Sequence, residues 1–131
     1  MSTGLITLHH GDPVSKARKL IQDHGVHHIP VVSGHELMGL ISASDVLRVS
    51  FGEAFGTDQR AVDATLDHTM SIEQLMVKNP RTLRKDASVR DAAEILSKGD
   101  FHSIPIVDTD QKTLVGMVTS TDLIRYLLEQ F

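Results

Sequence analysis

Gly25-Val26-His27-His28-Ile29-Pro30-Val31-Val32 and Gly99-Asp100-Phe101-His102-Ser103-Ile104-Pro105-Ile106-Val107 are two versions of one local design. Each begins with a glycine suited to stopping a helix and runs on into a β-type apolar stretch broken by one proline. Sliding the chain by 75 positions brings residues 1–32 onto 76–107 with nine identities: Met1/Met76, Thr7/Thr82, Leu8/Leu83, Val14/Val89, Ala17/Ala92, His27/His102, Ile29/Ile104, Pro30/Pro105 and Val32/Val107. Chance alone would match about one residue in sixteen. A two-residue insertion in the Asp108–Thr113 turn then moves the offset to 77, and Leu37, Gly39, Asp45 and Arg48 meet Leu114, Gly116, Asp122 and Arg125. The pairs between are conservative, such as Ile41/Val118 and Ser42/Thr119. The chain is a tandem duplication.

Each copy reads as β-α-β-β-α. Asp12-Pro13 supplies an expected N-cap and first helical position, and Val14, Ala17, Leu20 and Ile21 follow at helical spacing up to Gly25. The second copy offers Ser88 with Asp91 three residues on, then Val89, Ala92, Ala93, Ile95 and Leu96, closed by Gly99. Strands are expected over Ile6–Leu8, His28–Val32 and Leu37–Ile41, and again over Thr82–Leu83, Ser103–Val107 and Thr113–Val118. A second helix starts at Ser42 or Thr119. The first repeat is read as 1–49, a linker as 50–70 and the second repeat as 71–131. Gly52 and Gly56 break any helix in the linker, Asp63–His68 is expected to form a short one, and Ser71–Met76 reads as a helical turn. Met1 aligns with Met76, so a counterpart of Ser71–Leu75 is expected to precede the chain as given.

Composition narrows the function. The 131 residues are 40% hydrophobic and 23% charged, a globular balance. No apolar run reaches the roughly 18 residues of a membrane span, and the N-terminus carries no secretory pattern. Zero cysteines exclude disulfides, thiolate metal sites and cysteine nucleophiles. A net charge of −4 argues against a nucleic-acid binder, which would present a basic face. A cytoplasmic protein with neither membrane nor nucleic acid as partner is expected.

The two helix-to-strand joins, the strand ends Leu37–Ile41 and Leu114–Val118, and the following Ser42-Ala43-Ser44-Asp45 and Thr119-Ser120-Thr121-Asp122 together resemble a tandem pair of CBS domains, the Bateman module. The resemblance spans about 110 of the 131 residues. It implies an α+β fold of two βαββα repeats packed sheet to sheet with pseudo-two-fold symmetry, and commonly a homodimer. It also implies a regulatory role, with an adenosyl ligand (AMP, ADP, ATP or S-adenosylmethionine) in clefts between the repeats and an unidentified regulated protein. No cofactor is required. Carried over by position, the nucleotide-binding residues are Thr7, His27, His28, Ile29, Pro30, Ser42, Ser44 and Asp45 in the first copy. In the second they are Thr82, His102, Ser103, Ile104, Pro105, Met117, Thr119, Thr121 and Asp122.

The chemistry of these residues suits that role. A helix N-terminus offers unpaired N–H donors and partial positive charge to a phosphate. The hydroxyls of Ser42, Ser44, Thr119 and Thr121 can donate to phosphate or ribose oxygens. An aspartate can accept both hydroxyls of a ribose diol. Ile29, Leu40, Ile104 and Met117 are expected to sandwich a purine, with His27, His28 and His102 near phosphate. A competing reading stands beside it. Ser42-x-x-Asp45 and Thr119-x-x-Asp122 are also capping boxes that stabilise a helix start with no ligand, and the module then serves only for dimerisation. The eight histidines form no His-Glu-x-x-His motif, and no nucleophile elbow, Walker loop or dinucleotide fingerprint is present, so neither a metal site nor an enzyme is expected. The apolar surplus in Leu123-Ile124-Arg125-Tyr126-Leu127-Leu128 reads as a contact surface.

Overall fold

The computed structural model describes residues 5–51 and 67–131. The Met1 start, the Gly52 and Gly56 breaks and most of the Asp63–His68 helix lie outside the described residues; residues 67–69 are helical. The chain divides into two compact units.

One unit holds residues 6–34 and 38–79. Its elements are β1 (Leu8–His9), α1 (Val14–His24), β2 (His28–Ser33), β3 (Glu36–Ser42, the first two residues of which fall to the other unit), α2 (Ala43–Phe51), α3 (Ile72–Leu75) and β4 (Val77–Lys78). The sheet order is β1-β2-β3-β4. β1 runs parallel to β2, with Leu8 opposite Val31, and β3 runs antiparallel to β4, with Gly39 opposite Lys78 and Leu40 opposite Val77. α1 ends at Gly25, whose φ of 64° is the left-handed conformation that glycine adopts without strain. Its start differs from expectation. Pro13 occupies the N-cap position with no side-chain cap, while the Asp12 carboxylate accepts the His9 N–H at 2.8 Å and the Lys16 ammonium at 3.2 Å. Asp12 stands one residue too early to cap the helix and ties the preceding turn instead. The core gathers Leu8, Val14, Ala17, Ile29, Val31, Ile41, Val46, Ile72 and Met76. Ile72 and Met76, from beyond the linker, thus belong to the core of the first repeat.

The other unit holds Pro80–Phe131 together with Leu5 and His35–Leu37. Its elements are β5 (Leu83–Arg84), α4 (Val89–Ser97), β6 (Ser103–Val107), β7 (Leu114–Thr119) and α5 (Ser120–Glu129), with sheet order β5-β6-β7. β5 is parallel to β6, and β6 and β7 pair antiparallel from Ser103–Thr119 to Val107–Leu114. Ala92, Leu96, Ile104, Ile106 and Val118 form the core between sheet and helices. The inserted turn is closed by Asp110, whose carboxylate accepts the Lys112 and Thr113 N–H groups at 2.8 and 2.9 Å and the Thr113 hydroxyl at 2.6 Å. Those bonds hold its pKa down at about 2.

Gly39 is where β4 presses on β3. A Cβ there would lie 2.6 Å from Met76 Sδ and 2.8 Å from the Val77 carbonyl oxygen. Gly39→Ala should therefore cost about 1–3 kcal/mol, the usual range for overpacking. Urea denaturation of the two proteins checks this; an unchanged midpoint would mean that β4 does not press on β3 as described.

Candidate functional site

In each repeat one backbone hydrogen bond joins the start of the central strand to the start of the last helix. Ala43 N donates to the His27 carbonyl at 2.8 Å, and Ser120 N donates to the His102 carbonyl at 2.9 Å. Two stretches far apart in sequence are thereby held as one corner. The first corner joins the stretch His27-His28 to the helix start Ser42–Asp45, and the second joins His102-Ser103 to Thr119–Asp122. Thr7 and Thr82 sit one residue before β1 and β5, whose parallel registers put them level with Pro30 and Pro105.

The second corner is a complete capping box. Thr119 Oγ1 accepts Asp122 N at 3.0 Å, and Asp122 Oδ2 accepts Thr119 N at 3.0 Å. Asp122 has no ion pair among the described residues and retains its other oxygen as an acceptor. At the first corner Ser42 Oγ accepts Asp45 N at 3.1 Å, but Asp45 Oδ1 takes the Arg48 guanidinium at 3.0 Å. Arg125 holds the position equivalent to Arg48, three residues past Asp122. The same box recurs at α4, where Ser88 and Asp91 cap each other and the backbone N–H of Ser88 lowers the Asp91 pKa most.

The sheets sort the remaining expected residues by face. In β6 and β7, Ser103 is opposite Thr119 and Pro105 opposite Met117, so these four share one face, while Ile104 and Val118 share the other. Ile104 is fully buried in the core against the helices, and Ile29 is its counterpart in the first unit. Their side chains belong to the two cores. Pro30, Pro105 and Met117 are also buried, whereas His27, His102, Ser44 and Thr121 are exposed. Ser103 is 6% exposed, and its hydroxyl is the buried side-chain polar atom without a hydrogen-bond partner among the described residues. Leaving such a group unpaired costs about 1–3 kcal/mol, which a ligand or water at that spot would relieve.

On the helix side of the second sheet a cleft of about 220 Å³ opens between α4 and α5. Its floor is Leu83, Ala92, Ile106 and Val118, and its walls include Arg84, Lys85, Ser88, Asp122, Leu123 and Tyr126. Of the residues expected to bind ligand, Asp122 alone lines it. Arg84 and Lys85 were not anticipated, because nothing in their spacing marks them. Each stands beside an acid, Arg84 at 3.3 Å from Asp86 and Lys85 at 3.1 Å from Asp108. Among the described residues, no group of three or more His, Asp or Glu is placed to hold a metal ion, and no helix is long and apolar enough to cross a membrane.

Comparison with known proteins places this arrangement. Residues 1–52 and 72–129 each match the family model of the CBS domain. The chain belongs to the CBS-domain family. CBSX2 of Arabidopsis thaliana, solved in complex with AMP, superposes with a TM-score of 0.77 at 28% identity, covering 96% of this chain and 89% of that one. The CBS domain pair of protein MJ0100, in complex with 5′-methylthioadenosine and S-adenosyl-L-methionine, gives a TM-score of 0.76 at 27% identity, covering all of this chain and 94% of that one. Among curated relatives, an L-aspartate semialdehyde sulfurtransferase of Methanocaldococcus jannaschii is 30% identical over 92% of this chain. This CBS pair spans only about a fifth of that protein's length, 21%. The α+β tandem-repeat fold read from the sequence is the fold of these CBS pairs.

If the box at Thr119 is a working cap, Thr119→Ala should lower stability by about 0.5–2 kcal/mol while Thr119→Ser costs little. Thermal unfolding of the two variants side by side checks it; equal losses would show that the Thr119 methyl, not the hydroxyl, is what matters.

Proposed function

We propose that this CBS pair is a regulatory sensor of an adenosyl ligand, with the ribose diol accepted by Asp122. The observation that carries the proposal is the state of that carboxylate. One oxygen is fixed by the helix cap, the other is uncommitted, and the group borders a cleft with an apolar floor. The AMP complex of CBSX2 and the methylthioadenosine and S-adenosylmethionine complex of MJ0100 support the ligand class. AMP, ADP, ATP and S-adenosylmethionine all carry the ribose and adenine that such a corner would read. The chain works through its effect on a partner protein and not by catalysis. A bound ligand shifts the conformational balance only as far as its affinities for the two states differ.

Nucleotide-stripped protein should be stabilised by about 2.7 kcal/mol when an adenosyl ligand is present at 100 times its dissociation constant. A thermal-shift screen against AMP, ADP, ATP, S-adenosylmethionine and GTP reads this directly. A shift confined to the adenosyl compounds and lost in Asp122→Ala is the expected result. A flat screen on folded protein would leave Thr119-x-x-Asp122 as a helix cap and nothing more.

A specific observation also supports homodimerisation. No side chain of α5 is buried, and Ile124, Leu127 and Leu128 are 58%, 54% and 69% exposed. So much apolar surface on one helix marks a contact face. Sedimentation should find a dimer for the unaltered chain and a monomer for the Leu127→Asp, Leu128→Asp double variant; a monomer in both cases would remove the proposal.

A further inference from the structure

We infer that the cleft between α4 and α5 is a socket for one helical turn of a partner protein, a turn presenting a branched aliphatic side chain followed by an acid. This rests on the reading of the chain as a module that acts through a partner, and it names what that partner offers.

The first repeat shows such a socket filled. Leu83, Val89, Ala92, Ile106, Val118 and Leu123 line the cleft, and they repeat Leu8, Val14, Ala17, Val31, Ile41 and Val46 under the offsets of 75 and 77. All six of those earlier residues are 0% exposed, in one core cluster with Ile72 of α3. Next to that anchor, Glu73 of the same turn pairs with His10 at 3.1 Å. His10 is the position that Lys85 repeats on the wall of the cleft. An aliphatic anchor in the core and an acid at the rim thus mark where α3 sits on the first unit.

The second unit keeps the wall without the anchor. Moved back by 75 positions, Ile72 falls ahead of Met1, so residues 1–131 hold no counterpart of it. Val89 is 49% exposed where Val14 is fully buried, and Leu83 and Leu123 are only half-buried. The residues that enclose Ile72 in one unit face a cleft of about 220 Å³ in the other. A cavity of about 150 Å³ accepts a benzene ring, so this cleft has room for an isoleucine side chain. The rim has changed as well: His9 and His10 are replaced by Arg84 and Lys85, cations whose side chains are 46% and 50% exposed. Each already meets one acid, so an incoming glutamate would tighten binding by no more than about five-fold. The buried aliphatic group supplies the hold, as in other helix-in-groove contacts, and the rim selects for an acidic neighbour. Asp122 borders the same cleft, so a partner seated there adjoins the carboxylate that the adenosyl reading assigns to ribose.

Amide NMR on the full, nucleotide-stripped chain, titrated with a synthetic peptide of residues 70–79, tests the inference. That peptide carries the turn that fills the first repeat, where its place is already taken by the chain itself. Saturable shifts are expected at Val89, Ala92 and Leu123, with the first core unmoved. An Ile72→Asp peptide should bind at least about ten-fold more weakly. Lys85→Glu in the chain should weaken the unaltered peptide by a few-fold and recover with a Glu73→Lys peptide, a reversal that an unspecific apolar contact would not show. Val89→Asp puts an acid in the first turn of α4, where it favours the helix, and should abolish binding. No shift at millimolar peptide, or shifts centred away from the cleft, would overturn the socket and leave the adenosyl reading to its own thermal-shift screen. Bound peptide beside a flat ligand screen would do the reverse. Sedimentation in which the peptide splits a dimer would give the cleft to a second copy. Refusal of the peptide by protein isolated from its source, with chain ahead of Met1 in the cleft, would give it to that chain. Either outcome would overturn the partner.

Discussion

Everything distinctive in this structure hangs on a backbone hydrogen bond made twice, from Ala43 to the His27 carbonyl and from Ser120 to the His102 carbonyl. It stitches the entry of each central strand to the N-terminus of each last helix. A helix N-terminus has donors that its own turn cannot use, and a strand entry has a carbonyl not yet taken by a neighbour. Each end satisfies the other. The bond needs no particular side chain, which explains how the geometry persists although Ala43 and Ser120 differ. What the side chains add is a cap from below, Ser42 or Thr119, and an acid that either completes the cap or turns outward.

How much of this could be read beforehand follows from how local each signal is. Capping boxes act between a residue and the one three further on, so the starts at Ser88 and Thr119 were visible as short motifs, as was the stop at Gly25. The duplication made the strand pairs legible, since each weak signal appeared twice. Facing was harder. β2 and β6 are buried on both faces, so His28–Ser33 and Ser103–Val107 show no polar alternation to say which side meets the helices. Nothing in that pattern says that Ile29 and Ile104 lie in the cores.

Two further features were out of reach of sequence pattern. Asp45 and Asp122 occupy the same motif, each with an arginine three residues on, yet only Asp45 engages it. Rotamers of exposed long side chains leave no trace in spacing. The cleft walls Arg84 and Lys85 likewise stand where β5 ends and carry no motif of their own. Asp12 shows the opposite failure, a strong local cue displaced by one residue and put to use in the turn before the helix.

The strand β4 has a consequence for how the chain comes into being. Val77 and Lys78 supply the edge of the first sheet, and Ile72 and Met76 fill the core beneath it. During synthesis, at roughly 5–20 residues per second, the first repeat emerges with its sheet one strand short and its core unsealed. It can close only after the linker has passed and residue 79 has cleared the ribosome, when the second repeat has already begun to appear. The two repeats are duplicates in ancestry, but the boundary at which one could be cut from the other does not fall where the duplication does. A break in the linker would take from the first repeat a piece of itself.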